Sequence, residues 1–122
     1  MLIFLWFCFS LHVSVTLCRK PEIDHFKPVY SVENHGSFQL FCGVLQGSKP
    51  LKFEWFKNNI EIDKDLESSI DYKRTSSILS FNDIRVHDSG NYSCKTSNSD
   101  GFDQTFTFLQ VKGKCLIETI RI

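Results

Sequence analysis

The sequence predicts an all-β fold, an antiparallel sandwich of two sheets with seven to eight strands. After residue 18, short apolar runs recur between turn residues, and no helical period extends beyond one turn. Cys42 and Cys94 lie 52 residues apart on either side of Trp55, and Tyr92 precedes the second cysteine by two positions. A large ring beside two cysteines on facing sheets is typical of the interior of such a sandwich.

Alternation of apolar and polar residues predicts one buried face for each strand. The predicted strands, in chain order, are a split first strand at 21–26 and 29–32, followed by 37–42, 51–57, 60–62, 75–81, 92–97 and 104–111. Turn residues separate them, among them Asn58-Asn59 and the Asp-Gly pair that ends 98–101. The polar segment 63–69 is predicted to be a loop, and Ile84 is predicted to close the core at one end.

The run Asp88-Ser89-Gly90-Asn91-Tyr92-Ser93-Cys94 resembles the D-x-G-x-Y-x-C motif of immunoglobulin-like domains. This resemblance implies one inter-sheet disulfide, between Cys42 and Cys94. The predicted core residues around it are Trp55, Tyr92, Leu40 and Leu79. Only the short strand at 60–62 is predicted between Trp55 and the strand at 75–81, which leaves no room for the two extra strands of a variable-type domain. The sequence therefore indicates an intermediate-set (I-set) domain.

Three longer stretches resemble the Down syndrome cell adhesion molecule family, in particular its invertebrate members. They read PLKFEWFKN at 50–58, SILSF at 77–81 and DSGNYSCKTSN at 88–98, and the resemblance covers residues 21–112. It implies an extracellular binding module for cell–cell adhesion and recognition, of the homophilic adhesion, axon guidance and dendrite self-avoidance type. Members of that family carry many such domains, fibronectin-type modules and a membrane anchor, whereas the sequence predicts one domain here.

Residues 1–18 are predicted to be a secretory signal peptide, because 1–17 is apolar, uncharged and short for a membrane-spanning helix. A basic n-region is missing, so an uncleaved anchor is the alternative. The immunoglobulin-like domain is assigned to 19–112. The C-terminal tail, 113–122, is interpreted as a truncation product of a larger protein, with a genuinely short secreted form as the alternative.

The chain contains five cysteines, an odd number for an exported protein. Cys8 and Cys18 would leave with the signal peptide, and the Cys42–Cys94 bridge would form in the oxidising export pathway. Cys115 is left over, which predicts an intermolecular bridge or a tail that is not native to the mature protein. The expected localisation is therefore secreted, or the extracellular face of the plasma membrane.

Lys+Arg and Asp+Glu both number 14, and a net charge of zero argues against nucleic acid or an anionic membrane as the partner. The sequence contains no nucleophile-elbow, zinc-protease or phosphate-loop motif. His25, His35 and His87 have no companion at metal-ligand spacing and are predicted to be solvated. We therefore expect no enzyme, no cofactor and no small-molecule substrate, but a protein partner at the cell surface. A soluble immune or pattern-recognition protein is the alternative, and an intracellular muscle-type domain is a third, which the signal segment argues against.

The sequence contains one N-x-S/T sequon, at 91–93. The second residue of this sequon points inward, so Asn91 points outward and is a candidate glycosylation site, with an unoccupied sequon as the alternative. At the neighbouring corner, Asp88 is predicted to pair with Arg74, and Arg85 is the competing partner.

Phe56, Phe106 and Phe108 are the candidate interface. Alternation places Trp55 and Leu109 inward, which directs these three phenylalanines to the outer face of one sheet. Together they would form an apolar patch of the kind that marks an interaction surface. The alternative is a β-bulge in the last strand that turns Phe106 or Phe108 into the core.

Overall fold

The computed structural model describes residues 19–62 and 69–113. The predicted signal peptide, most of the predicted loop at 63–69, Cys115 and nearly all of the predicted tail lie outside the described residues. Within them, the strands are β1 Glu22–Ile23, β2 Val29–Glu33, β3 Phe38–Gln46, β4 Lys52–Lys57, β5 Ile60–Glu61, β6 Ser69–Tyr72, β7 Ser76–Phe81, β8 Gly90–Asn98 and β9 Gly101–Lys112. One turn of 3₁₀-helix, Val86–Asp88, precedes β8.

The strands form two sheets that pack against each other. The four-stranded sheet has the order β1-β3-β7-β6, and the five-stranded sheet has the order β2-β9-β8-β4-β5. Neighbouring strands run antiparallel except β2, which runs parallel to β9 and pairs Val29 with Phe108. The predicted split of the first strand thus places β1 and β2 on different sheets. The all-β sandwich that the sequence predicts is confirmed.

β6 is a strand that the sequence did not predict. It pairs antiparallel with β7, so the interval between β4 and β7 holds two strands rather than the single one expected at 60–62. The stretch Ser69–Tyr72 is four residues long, and only Ile70 in it is partly buried. So short an alternation does not signal a strand by itself. With β6 and the split first strand, the described residues contain nine strands instead of seven to eight.

The core surrounds the disulfide that joins the two sheets. Cys42 on β3 and Cys94 on β8 form this bond, with their Cα atoms 6.4 Å apart. Trp55 on β4 lies directly opposite Cys94 in the register, and the ring of Phe26 stacks on it with centroids 6.1 Å apart. The other fully or almost fully buried side chains include Leu40, Leu79, Ile84, Tyr92 and Leu109. Closing so long a loop stabilises the domain by about 4 kcal/mol in the chain-entropy model.

A hydrogen-bond relay pairs the indole N–H of Trp55 with the hydroxyl of Ser77 inside this core. Trp55 Nε1 donates to Ser77 Oγ at 2.9 Å, and Ser77 Oγ donates to the carbonyl oxygen of Asp71 at 2.9 Å. Ser77 lies on β7 and is fully buried, so no bulk water reaches the indole N–H there. The relay therefore connects β4 of the five-stranded sheet to β7 of the four-stranded sheet, and β7 to the edge strand β6.

Tyr92 holds the corner that precedes β8. Its hydroxyl donates to the backbone carbonyl of Asp88, and burial raises the pKa of Tyr92 above its usual value. The carboxylate of Asp88 accepts the backbone N–H of Arg85 at 2.8 Å. The predicted pair of Asp88 with Arg74 does not form, because Arg74 lies before β7, beside Pro50, at the opposite end of that strand.

Candidate interaction surface

The outward-facing residues of the five-stranded sheet form an apolar patch. Ser93 on β8 is the register partner of both Phe56 on β4 and Phe106 on β9, so the two rings flank it in one row. Phe106 is 58% exposed and Phe108 is 41% exposed, whereas Phe56 is half-buried. The register between β8 and β9 is continuous over 101–109, so the bulge that would turn Phe106 or Phe108 inward does not occur.

Two residues outside the predicted patch extend it. Val29 lies opposite Phe108 on the parallel neighbour β2 and is 51% exposed. Phe102 lies on β9, four residues before Phe106, and is 52% exposed. The predicted last strand begins at residue 104 and therefore omits Phe102, whereas β9 begins at Gly101. Because Phe102 and Phe106 are four residues apart, a longer predicted strand would place both on the same face. The resulting aromatic face consists of Val29, Phe56, Phe102, Phe106 and Phe108.

The burial of Ser93 shows how closely the rings cover the sheet. Its side chain points to the outer face, yet it is only 4% exposed, because Phe56 and Phe106 stand on either side of it. Gln104 Nε2 donates to Ser93 Oγ at 3.4 Å from the next row of the sheet. The centre of the aromatic face therefore consists of the rings of Phe56 and Phe106 with one enclosed hydroxyl between them.

A row of polar residues crosses the face between the rings of Phe102 and Phe106. It consists of Glu54, Lys95 and Gln104, which are consecutive register partners on β4, β8 and β9. Lys95 Nζ lies 4.6 Å from the centroid of the Phe102 ring, a cation–π contact. The row carries one positive and one negative charge, so it adds no net charge to the face.

Asn91 lies at the edge of the aromatic face, directly opposite Phe108 in the register of β8 and β9. It is exposed, and both its backbone N–H and its carbonyl form hydrogen bonds with Asn58. Its N–H donates to Asn58 Oδ1 at 2.9 Å, and its carbonyl accepts the N–H of Asn58 at 2.7 Å. Asn58 and Asn59 both have positive φ, of 51° and 69°, which matches the predicted tight turn between β4 and β5.

Away from this face, each of the three described histidines lies near a carboxylate, and the longest of these distances is 4.0 Å, from His87 Nε2 to Asp88 Oδ1. His25 Nε2 lies 3.2 Å from Asp103 Oδ2, which also accepts the backbone N–H of Ile23 at 2.9 Å. Burial acts to raise the pKa of Asp103, but two backbone N–H donors and His25 outweigh it, so this pKa lies below its usual value. His35 Nδ1 lies 2.9 Å from Asp83 Oδ1. Among the described residues, no group of three or more His, Cys, Asp or Glu side chains could hold a metal ion.

Comparison with known protein families and sequences gives consistent matches. The family model for the immunoglobulin domain matches residues 20–98, about two thirds of the chain. The chain is similar to Pro-neuregulin-2, membrane-bound isoform, from Mus musculus, with 35% identity over 66 residues, 52% of this chain and 9% of that protein. The Homo sapiens protein of the same name is 29% identical over 83 residues, 66% of this chain and 9% of that protein. The chain thus spans about a tenth of the length of these relatives.

Solved structures resemble the fold closely. An I-band fragment of titin is 25% identical with a TM-score of 0.69, over 77% of this chain and 33% of that one. The Dscam1 Ig7 domain, isoform 5, is 22% identical with a TM-score of 0.68, over 76% of this chain and 97% of that one. The second likeness concerns the fold alone. In the part of the chain that the structure describes, no helix is long and apolar enough to span a membrane.

Proposed function

The chain belongs to the immunoglobulin domain family, and on that basis we propose that it is an extracellular binding module for cell–cell adhesion and recognition. The aromatic face is the observation that carries this proposal. We assign the domain to the intermediate set, because β5 is the single short strand beside β4 while β6 lies in the other sheet. The proposed domain comprises residues 19–112, after a signal peptide at 1–18 and before a tail at 113–122.

The size of the aromatic face suits the centre of a protein interface. A fully buried aromatic side chain covers about 150–250 Å², so the four partly exposed rings and the valine offer roughly 300–400 Å². A standard interface buries about 800 Å² on each partner, of which the apolar centre is only a part. The face therefore supports weak binding by a single domain, and adhesion would come from several such contacts acting together.

A second copy of the same chain is the partner that we propose for this face. An apolar patch is complementary to itself when two copies meet about a two-fold axis. The Glu54–Lys95 row is compatible with this choice, because a two-fold axis that runs along the strands between β4 and β8 would place the carboxylate of one copy opposite the ammonium of the other. The net charge of zero adds no long-range repulsion between copies.

The disulfide supports the proposed extracellular location. Cys42 and Cys94 are bonded, and such bonds persist in secreted proteins and at cell surfaces, not in the reducing cytosol. A relative whose name includes "membrane-bound isoform" is in keeping with a location at the plasma membrane. A soluble immune or pattern-recognition protein is the alternative within the same location, and it would use the face to bind foreign surfaces instead of its own copies.

Sedimentation velocity over a concentration series tests the proposal. Protein expressed from the full sequence and freed of N-linked glycan should show a reversible monomer–dimer equilibrium, and Phe106→Asp should abolish it, because a carboxylate at the centre of the aromatic face cannot be buried. Phe41→Asp is the matched control: Phe41 is 56% exposed, close to the 58% of Phe106, but lies on the four-stranded sheet. Equal association of wild type and Phe106→Asp would refute the proposal. Binding to microbial surfaces without self-association would favour the alternative.

A further inference from the structure

We infer that an N-linked glycan on Asn91 covers the aromatic face and so controls whether that face is available for binding. The covering follows from the fold, whereas its consequence for adhesion rests on the proposed function. The sequence predicts the glycosylation site and the interface separately. The structure brings the two together, because Asn91 and Phe108 are register partners on adjacent strands.

The geometry fixes where the first sugar begins. Directly opposite residues on antiparallel strands have Cβ atoms about 4.5–5.5 Å apart. Both side chains project from the same face, and Phe108 is 41% exposed. The two hydrogen bonds with Asn58 hold the Asn91 backbone, which limits the directions in which a glycan can leave the sheet. A sugar attached to the Asn91 amide therefore starts beside the Phe108 ring.

The contact is chemically favourable. One face of a pyranose ring presents mainly C–H groups, which pack on an aromatic ring and remove its apolar surface from water. The next sugars extend along or above the sheet, and Phe106 lies only two residues, about 7 Å, further along β9. A full glycan is bulky and hydrated. The modified protein therefore presents a polar surface where the unmodified one presents the aromatic face.

The same structure indicates that the modification precedes folding. In the folded domain Ser93, whose hydroxyl completes the sequon, is 4% exposed, and this hydroxyl accepts a hydrogen bond from Gln104. Tyr92, the middle residue of the sequon, is buried in the core. An enzyme that must reach Asn91 and Ser93 together finds them accessible only in the unfolded chain. The glycosylation state of each molecule is thus set during synthesis and is retained after folding.

The first experiment compares secreted wild-type protein with the variant Asn91→Gln. Intact mass should show a glycan on the wild type that is absent from the variant. Binding of the fluorescent apolar dye bis-ANS should rise at least twofold in the variant. Adding Phe108→Asp to the variant should remove that gain, and Phe106→Ser is a second, milder change with the same expected direction. Asn82→Gln is the matched control, because Asn82 is exposed and lies outside any sequon.

The outcomes separate this inference from the proposed function. Secreted wild type without a glycan, or equal dye binding by the two forms, would overturn the inference. If the dye result holds and Asn91→Gln also self-associates more strongly than the glycosylated form in sedimentation velocity, both ideas are supported. If the dye result holds but neither form associates, the glycan covers the face and the proposed homophilic function fails.

Discussion

Replacing Ser77 by alanine tests whether the buried relay between the sheets contributes to stability. The variant removes the acceptor of the Trp55 indole N–H, which lies in a site without access to bulk water. A buried donor left without a partner costs about 1–3 kcal/mol. The second bond lost, to the carbonyl of Asp71, costs little, because Asp71 is exposed and water can replace the hydroxyl. The expected destabilisation of Ser77→Ala is therefore about 1–3 kcal/mol, and it arises at Trp55.

Urea unfolding with the disulfide intact measures this loss. For a domain of this size the free energy of unfolding falls by about 1–3 kcal/mol per molar urea, so the midpoint should fall by roughly 1 M. Ser80→Ala is the matched control: Ser80 lies on the same strand but on the outer face, where its hydroxyl accepts a hydrogen bond from exposed Gln39. Its effect should stay within about 0.5 kcal/mol.

A double-mutant cycle assigns the loss to one pair of atoms. In a Trp55→Phe background the indole N–H is gone, so Ser77→Ala should cost about 1 kcal/mol less than it does in the wild type. An unchanged midpoint in Ser77→Ala, or an equal cost of this change in both backgrounds, would refute the assignment of the destabilisation to the indole hydrogen bond.

Two further predictions concern single contacts. Asp103→Asn should destabilise the domain at neutral pH, because the ionised carboxylate accepts the N–H of Ile23 and its pKa is lowered by folding. A lowered pKa means that the folded state favours the ionised carboxylate, so this stabilisation is lost once the carboxylate is protonated. The difference in unfolding free energy between wild type and Asp103→Asn should therefore shrink as the pH falls below the ordinary aspartate value of 3.8. Urea titrations at several pH values measure this difference. A difference that grows on acidification would contradict this sign. Tyr92→Phe should cost about 0.5–1.5 kcal/mol by removing the hydroxyl bond to Asp88, whereas Tyr72→Phe, on an exposed side chain, should leave the thermal midpoint unchanged.

Local patterns in the sequence were sufficient for the central strands and for the core. The strands β3, β4, β7, β8 and β9 are each at least six residues long, and the parity of a few apolar residues indicates which side faces the core. In β9, Leu109 and Val111 mark that side, although Thr105 and Thr107 are buried and Phe106 is exposed. The spacing of Cys42, Trp55, Tyr92 and Cys94 carries the resemblance that implied the disulfide. The outward direction of Phe56, Phe106 and Phe108 follows from the same parity.

Short elements gave no such signal. β6 is four residues long with one partly buried side chain, and it becomes a strand because β7 offers it an open edge. Ser77 has the same parity as the inward Leu79, so the sequence places it on the inner face. Only the folded chain shows that Trp55 donates to its hydroxyl and that this hydroxyl donates to Asp71.

The sequence by itself determined the fold class, the Cys42–Cys94 disulfide and the direction of each long strand's side chains. These properties are local, since they depend on the period of two along a strand and on residue types a few positions apart. The tertiary structure alone decided which strands are neighbours and in what register. That register places Asn91 beside Phe108 and Val29 on the other side of the same ring, although Val29 is far from both in sequence. Such pairings depend on backbone hydrogen bonds between distant segments, which residue pattern along one strand does not encode.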